Sequence, residues 1–129
     1  MEKEAIRTEA APAPFQGAPY SQAIKAGGLL FVSGQVALQP GASEPVSDTI
    51  GEQTGQVFAN LRAILEEAGT SLERVVKATV FLTDLGDFAG MNEVYARHVG
   101  ETPPARATIE VSALPSGAKL EIEAIALVG

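Results

Sequence analysis

Two short stretches hold the residues best suited to chemistry. Arg106 and Thr108 stand two apart, as do Glu121 and Glu123, and an extended strand turns residues two apart onto one face. Arginine offers a planar fork that matches a carboxylate. A glutamate in a dry pocket has its pKa raised towards neutrality, where it exchanges protons at useful rates. If the two strands are neighbours, the four side chains share one half-buried surface that binds a carboxylate and moves protons. A plainer reading is open too: Arg106 paired with Glu121 or Glu110, with no chemistry. Thr108 alone indicates no more than a strand, which β-branched residues favour.

The elements that must position these residues follow from periodicity. Pro12, Pro14, Gly17 and Pro19 make the segment from Ala10 to Pro19 an extended arm leading to Tyr20. Ser21–Ala26, Gly27-Gly28 and Leu29–Gln35 read as a hairpin, with Ser33-Gly34 as a bulge. A loop rich in Pro, Gly and Ser covers Gln39 to Ser47. Ile50, Val57, Leu61, Ile64, Leu65 and Ala68 recur at helical spacing, so a helix is predicted from Thr49 to Ala68, with Thr49 and Glu52 as a capping box and Gly69 as its C-terminal stop. A strand over Val76–Thr83 turns Val76, Ala78, Val80 and Leu82 to one face. A second helix runs from about Asp87 to His98 with Phe88, Met91, Tyr95 and His98 on one stripe, capped by Asp84 or Asp87.

Strands near Ala105–Val111 and Lys119–Leu127 complete the order β-β-α-β-α-β-β. The class is α+β, one domain over residues 1–129, with residues 1–9 given no element and expected to be flexible; both helices lie on one face of a mostly antiparallel mixed sheet. In the last strand Leu120, Ile122, Ala124 and Ala126 suit helix packing. Its other face begins charged and ends with Ile125 and Leu127, as expected of a surface half-covered by another subunit, so a homo-oligomer is predicted.

Composition sets exclusions. Nine basic against sixteen acidic residues leave a charge of −7, concentrated in residues 44–101 (4 basic, 10 acidic), which argues against nucleic-acid or anionic-membrane partners. Without cysteine there is no disulfide, thiolate metal site or cysteine nucleophile, and the single His98 excludes a multi-histidine zinc site. His98, near a helix C-terminus, reads as a dipole contact or packing residue. Apolar runs such as Leu29–Val32 are far short of the roughly 20 residues of a membrane span. The charged start, Met1–Thr8, is unlike a secretory signal, so the cytoplasm is the expected location.

Five blocks in one order, PYSQA at 19–23, FVSGQ at 31–35, VKATVFLTDLGDFAGMNEVY at 76–95, PPARATIEVSALP at 103–115 and KLEIEAIA at 119–126, resemble the RidA family, also called YjgF. The resemblance implies a chorismate-mutase-like fold, a homotrimer with pockets between adjacent subunits, and no metal or cofactor. The implied activity is hydrolytic deamination of 2-imino acids or their 2-enamine tautomers, such as 2-iminobutanoate and 2-iminopropanoate, to 2-oxo acids and ammonia. Position by position, it implies that Arg106 binds the substrate carboxylate with the N–H of Gly34, and that the N–H of Thr108 meets the reacting end. It also implies that Glu121 activates water, Tyr20 walls the pocket, and Ser33 and Asn92 line or support it. Thr108 departs from the family's frequent cysteine and leaves no thiol for redox control at that position. Two other readings stay open: a non-catalytic trimer that senses a small 2-oxo acid, and a pathway-specific deaminase of an aminoacrylate-type intermediate.

Overall fold

The computed structural model describes residues 2–129. Eight elements carry the fold: β1 (Glu4–Ile6), β2 (Ala23–Ala26), β3 (Leu29–Gln35), α1 (Ile50–Glu67), β4 (Val75–Leu82), α2 (Phe88–Tyr95), β5 (Ala105–Glu110) and β6 (Leu120–Leu127). They form one six-stranded sheet in the order β1-β2-β3-β6-β4-β5, in which β4 and β5 alone run parallel. Strand β1 is one more than the periodicity disclosed and lies within the segment left without an element. It is too short to show an alternating pattern, yet Ile6 is buried and anchors it to β2.

Local chemistry explains most boundaries. The Thr49 hydroxyl accepts the Glu52 N–H and donates to the Glu52 carboxylate at 2.9 Å, and Gly69 takes the left-handed conformation at φ +82°. Val57, Leu61, Ile64 and Leu65 of α1 pack on Leu30, Val80, Leu120 and Ile122 of the sheet, all essentially without solvent contact. Helix α2 ends earlier than the periodicity suggests, with Ala96 as its cap, and Val99 rather than His98 makes the last core contact. Asp87 is the N-cap residue of α2 but makes no side-chain cap bond; Asp84 instead caps the preceding 3-10 turn Leu85–Asp87, accepting the Gly86 N–H at 2.8 Å. His98 stacks flat on Phe58, with ring centroids 4.6 Å apart, as a packing residue. Burial, then Arg62 and Arg97, hold its pKa below the ordinary histidine range.

Two facing assignments change. A register shift between Val75 and Lys77 leaves Val76 exposed while Val75 turns to the core. More consequential, β5 does not border β6: β4 lies between them. The unit β4–α2–β5 is a parallel crossover, so β5 is laid against the outer side of β4, whereas β6 pairs with its inner side. Among the described residues no helix is long and apolar enough to cross a membrane.

Candidate functional site

The site residues divide into two groups on opposite faces of the sheet. Arg106 aligns with Ala78 and Thr108 with Val80, and Ala78 and Val80 in turn face Ala124 and Ile122, so the β5 pair belongs to the helix-covered side. Glu121 aligns with Phe81 and Glu123 with Thr79, on the other side. The single surface expected to unite Arg106, Thr108, Glu121 and Glu123 is therefore not formed within one chain. An inserted strand and its register decide this, and neither is visible in the alternation of β5 or β6 taken alone.

On the helix side, the Arg106 guanidinium carbon lies 4.7 Å from the centre of the Tyr95 ring and 5.6 Å from that of Phe88. Phe88, Asn92 and Tyr95 follow at steps of four and three, so they share one stripe of α2, with Asn92 between the other two along it. The plainer reading, an arginine neutralised by a neighbouring acid, fails. Among the described residues the one salt bridge is the exposed Arg97–Glu93 pair, and the Glu110 carboxylate accepts the Leu85 N–H at 2.9 Å instead. Arg106 is half-buried, supported by ring faces and free of a carboxylate. Nearby, the hydroxyls of Thr108 and Tyr95 are buried without a hydrogen-bond partner. The aromatic support was missed in the sequence, where Phe88 and Tyr95 registered only as a packing stripe.

On the other face Glu121 is half-buried. Removal from water, and then the charge of Glu123, push its carboxyl above the usual carboxylate range. Between Val32 and Gln35 two residues of β3, Ser33 and Gly34, oppose the single Glu123 of β6, which is the expected bulge. A Cβ at Gly34 would come within 2.6 Å of the Glu121 Cδ, so the glycine is the space in which that carboxylate sits. The Ser33 hydroxyl donates to Ser21 O at 2.6 Å, tying the bulge to the segment after Tyr20. Tyr20 is 43% exposed, its hydroxyl accepts the Phe15 N–H at 2.6 Å, and it lines a cleft of about 660 Å³ along the N-terminal arm. Gln22, buried, holds that arm through bonds to Thr8 and Pro12. Gly34, Ser33 and Glu121 thus stand together, Tyr20 lines the cleft along the arm, and Arg106, Thr108 and Asn92 form a separate group.

Two expectations follow for the Glu121 face. Gly34 does not need a positive φ, so its backbone accepts alanine, but the new methyl group must displace the carboxylate. On the reading that Glu121 handles protons, Gly34→Ala is expected to fold normally and to lose on the order of 10²-fold in kcat, the cost of a ~1 Å misplacement at a reacting group. Wild-type kcat in this variant would remove Glu121 from the chemistry. The second concerns stability. A carboxyl whose folded pKa is raised favours folding while protonated, below its unfolded pKa, and that contribution is lost as pH rises through the folded value. Glu121→Gln should therefore raise the melting temperature near pH 8 and raise it progressively less towards about pH 4. A gain that does not change with pH would show that Glu121 is as solvated as it is in the unfolded chain.

The sheet thus carries an unpaired, aromatic-supported arginine on its helix side and a desolvated glutamate on the other. The family described as Endoribonuclease L-PSP matches residues 8–128. A RutC family protein of Pyrococcus abyssi is 56% identical over 126 residues, 98% of each chain. The Reactive Intermediate Deaminase A of Arabidopsis thaliana chloroplasts is 47% identical over 126 residues, spanning 98% of this chain and 66% of that one. The crystal structure of Escherichia coli TdcF with bound serine superposes with a TM-score of 0.89 at 39% identity, covering 98% of this chain and 99% of that one. The chain belongs to this family, known as YjgF, RutC or RidA.

Proposed function

We propose that the protein hydrolyses reactive 2-imino acids, or their 2-enamine tautomers, to 2-oxo acids and ammonia. The observation that carries this reading is Arg106, a half-buried cation held by ring faces and left without an acid, as a carboxylate receptor must be. In the reaction the Arg106 fork fixes the substrate carboxylate with the help of the Gly34 N–H, and the Thr108 N–H meets the reacting end. Glu121 orients a water and takes its proton as the oxygen attacks the iminium carbon, while the C=N electron pair moves to nitrogen. Glu121 then passes that proton to the nitrogen, the C–N bond breaks as Glu121 takes the hydroxyl proton, and ammonia departs from the new carbonyl, carrying that proton away as ammonium. A carboxyl with a raised pKa serves both directions of transfer. Tyr20 walls the pocket, and Ser33 and Asn92 support it.

Because Arg106 and Glu121 face opposite sides of one chain, this site needs a second copy: the Arg106 side of one subunit against the Glu121 side of the next. Repeated head to tail, such contacts close into a ring, and a homotrimer is the expected assembly. Phe31, Ile109 and Leu127, each more than 40% exposed on the uncovered sheet face, supply apolar surface for it. The name of the Arabidopsis relative supports the chemistry. The family's description mentions an endoribonuclease, but a net charge of −7 is ill suited to a phosphate backbone.

The test is direct: added to a threonine-dehydratase reaction, the protein should speed release of 2-oxobutanoate, and no acceleration would end the reading. A second reading, a sensor that binds a small carboxylate without turning it over, draws on the relative with bound serine. It requires thermal stabilisation by 2-oxobutanoate with no such acceleration.

A further inference from the structure

Resting on the carboxylate-receptor reading of Arg106, we infer that Tyr95 is the positioning residue that makes this arginine a receptor, with Phe88 as its weaker partner. Arginine has many rotamers, and on an edge strand its fork would be mobile unless something held it. No acid does so here. What lies against it is the Tyr95 ring at 4.7 Å and the Phe88 ring at 5.6 Å, both offered by one stripe of α2. The two rings differ in their own support. Phe88 is 43% exposed, whereas Tyr95 is 6% exposed and is wedged edge-on against Phe58 at 5.4 Å. Tyr95 is therefore a fixed platform and Phe88 a flexible one.

A ring face attracts the guanidinium without occupying its N–H fork as a carboxylate would, so the arginine is oriented while donors stay available for a ligand carboxylate. An acid partner would orient it too, but would consume the fork. The Tyr95 hydroxyl fits the same picture. It is buried with no hydrogen bond of good geometry, so it is not an anchor for the core; burial pushes the phenol pKa up, while the charge of Arg106 and the nearness of its side chain to the hydroxyl pull it back. The ring face at 4.7 Å is the contact that orients the arginine, and Tyr95→Phe separates it from any contribution of the hydroxyl.

The test compares Tyr95→Phe, Tyr95→Leu and Phe88→Leu with the wild-type protein in imine hydrolysis, in 2-oxobutanoate binding by calorimetry, and in the NMR signal of the Arg106 side-chain Nε–H. Tyr95→Leu should raise KM about tenfold with kcat changed by less than about threefold, Phe88→Leu should raise KM less, and Tyr95→Phe should restore wild-type values. Stacking on a ring shifts the Nε–H signal upfield. That shift should survive in Tyr95→Phe and vanish in Tyr95→Leu. An unchanged Nε–H signal in Tyr95→Leu, or a loss in Tyr95→Phe as large as in Tyr95→Leu, overturns the inference. Because Phe88 is exposed, its variant reports on the rings even if Tyr95→Leu fails to fold, and wild-type KM there overturns the ring-cradle account. Absence of hydrolysis or binding by the wild type would instead overturn the functional reading, while the NMR signal still decides the role of Tyr95.

Discussion

Arg106→Ala should lower kcat/KM for 2-iminobutanoate by two to three orders of magnitude, about 3–4 kcal/mol of lost transition-state stabilisation. The size follows from the surroundings. The chain as a whole is acidic, so it does not draw a small anion from afar, and recognition rests on local geometry. A bidentate, charge-assisted pair in a half-desolvated place is among the stronger polar contacts available, and nothing beside Arg106 replaces it. Arg106→Lys keeps the charge but loses the fork and the flat face that lies on Tyr95, so it should recover no more than about a tenth of the activity. Folding should be little disturbed, because β5 is an edge strand and Arg106 is only half-buried. A well-folded alanine variant with normal kcat/KM would refute the role of the arginine outright.

Glu121→Gln should reduce kcat by about 10²–10⁴-fold, the usual reach of a positioned acid–base group, with KM nearly unchanged. Glutamine retains the volume beside Gly34 but cannot take a proton. In the wild type the acidic limb of the kcat profile should lie above the ordinary glutamate range, because burial and Glu123 raise this carboxyl and the ionised form activates water. An acidic limb at the value of a free glutamate would contradict that assignment. The same variant also tests how the site is assembled. If each pocket draws Arg106 from one subunit and Glu121 from its neighbour, the inactive Arg106→Ala and Glu121→Gln chains, co-refolded in equal amounts, rebuild a complete pocket about one time in four. Recovery of about a quarter of wild-type activity is the expected result. No recovery in verified mixed assemblies would mean that one chain supplies both groups, against the opposite facing of their strands.

Much of this protein was legible locally. The capping box at Thr49 and Glu52, the Gly27-Gly28 turn and the alternation of β6 all act between residues close in sequence, and each produced the element that its spacing announced. The Ser33-Gly34 bulge was legible for the same reason. The residues of the site were legible as types and as family blocks, since a fork, a carboxyl and a space-making glycine are written in single letters.

What the alternation of β5 and β6 left open was partnership. Each strand shows which residues share a face, but not which strand lies beside it. Here the parallel crossover β4–α2–β5 placed β4 between them. That one insertion turned Arg106 to the helices and Glu121 away from them, converting an apparent single surface into two separate ones. It also brought Arg106 over Tyr95, a residue eleven positions earlier that had looked like core packing alone. The sequence by itself determined the class, most of the elements and the chemical groups, because short-range sterics and hydrogen bonding specify those. Only the tertiary structure decided which groups meet, because strand order and register are settled by long-range burial, in which every strand competes for the same apolar faces.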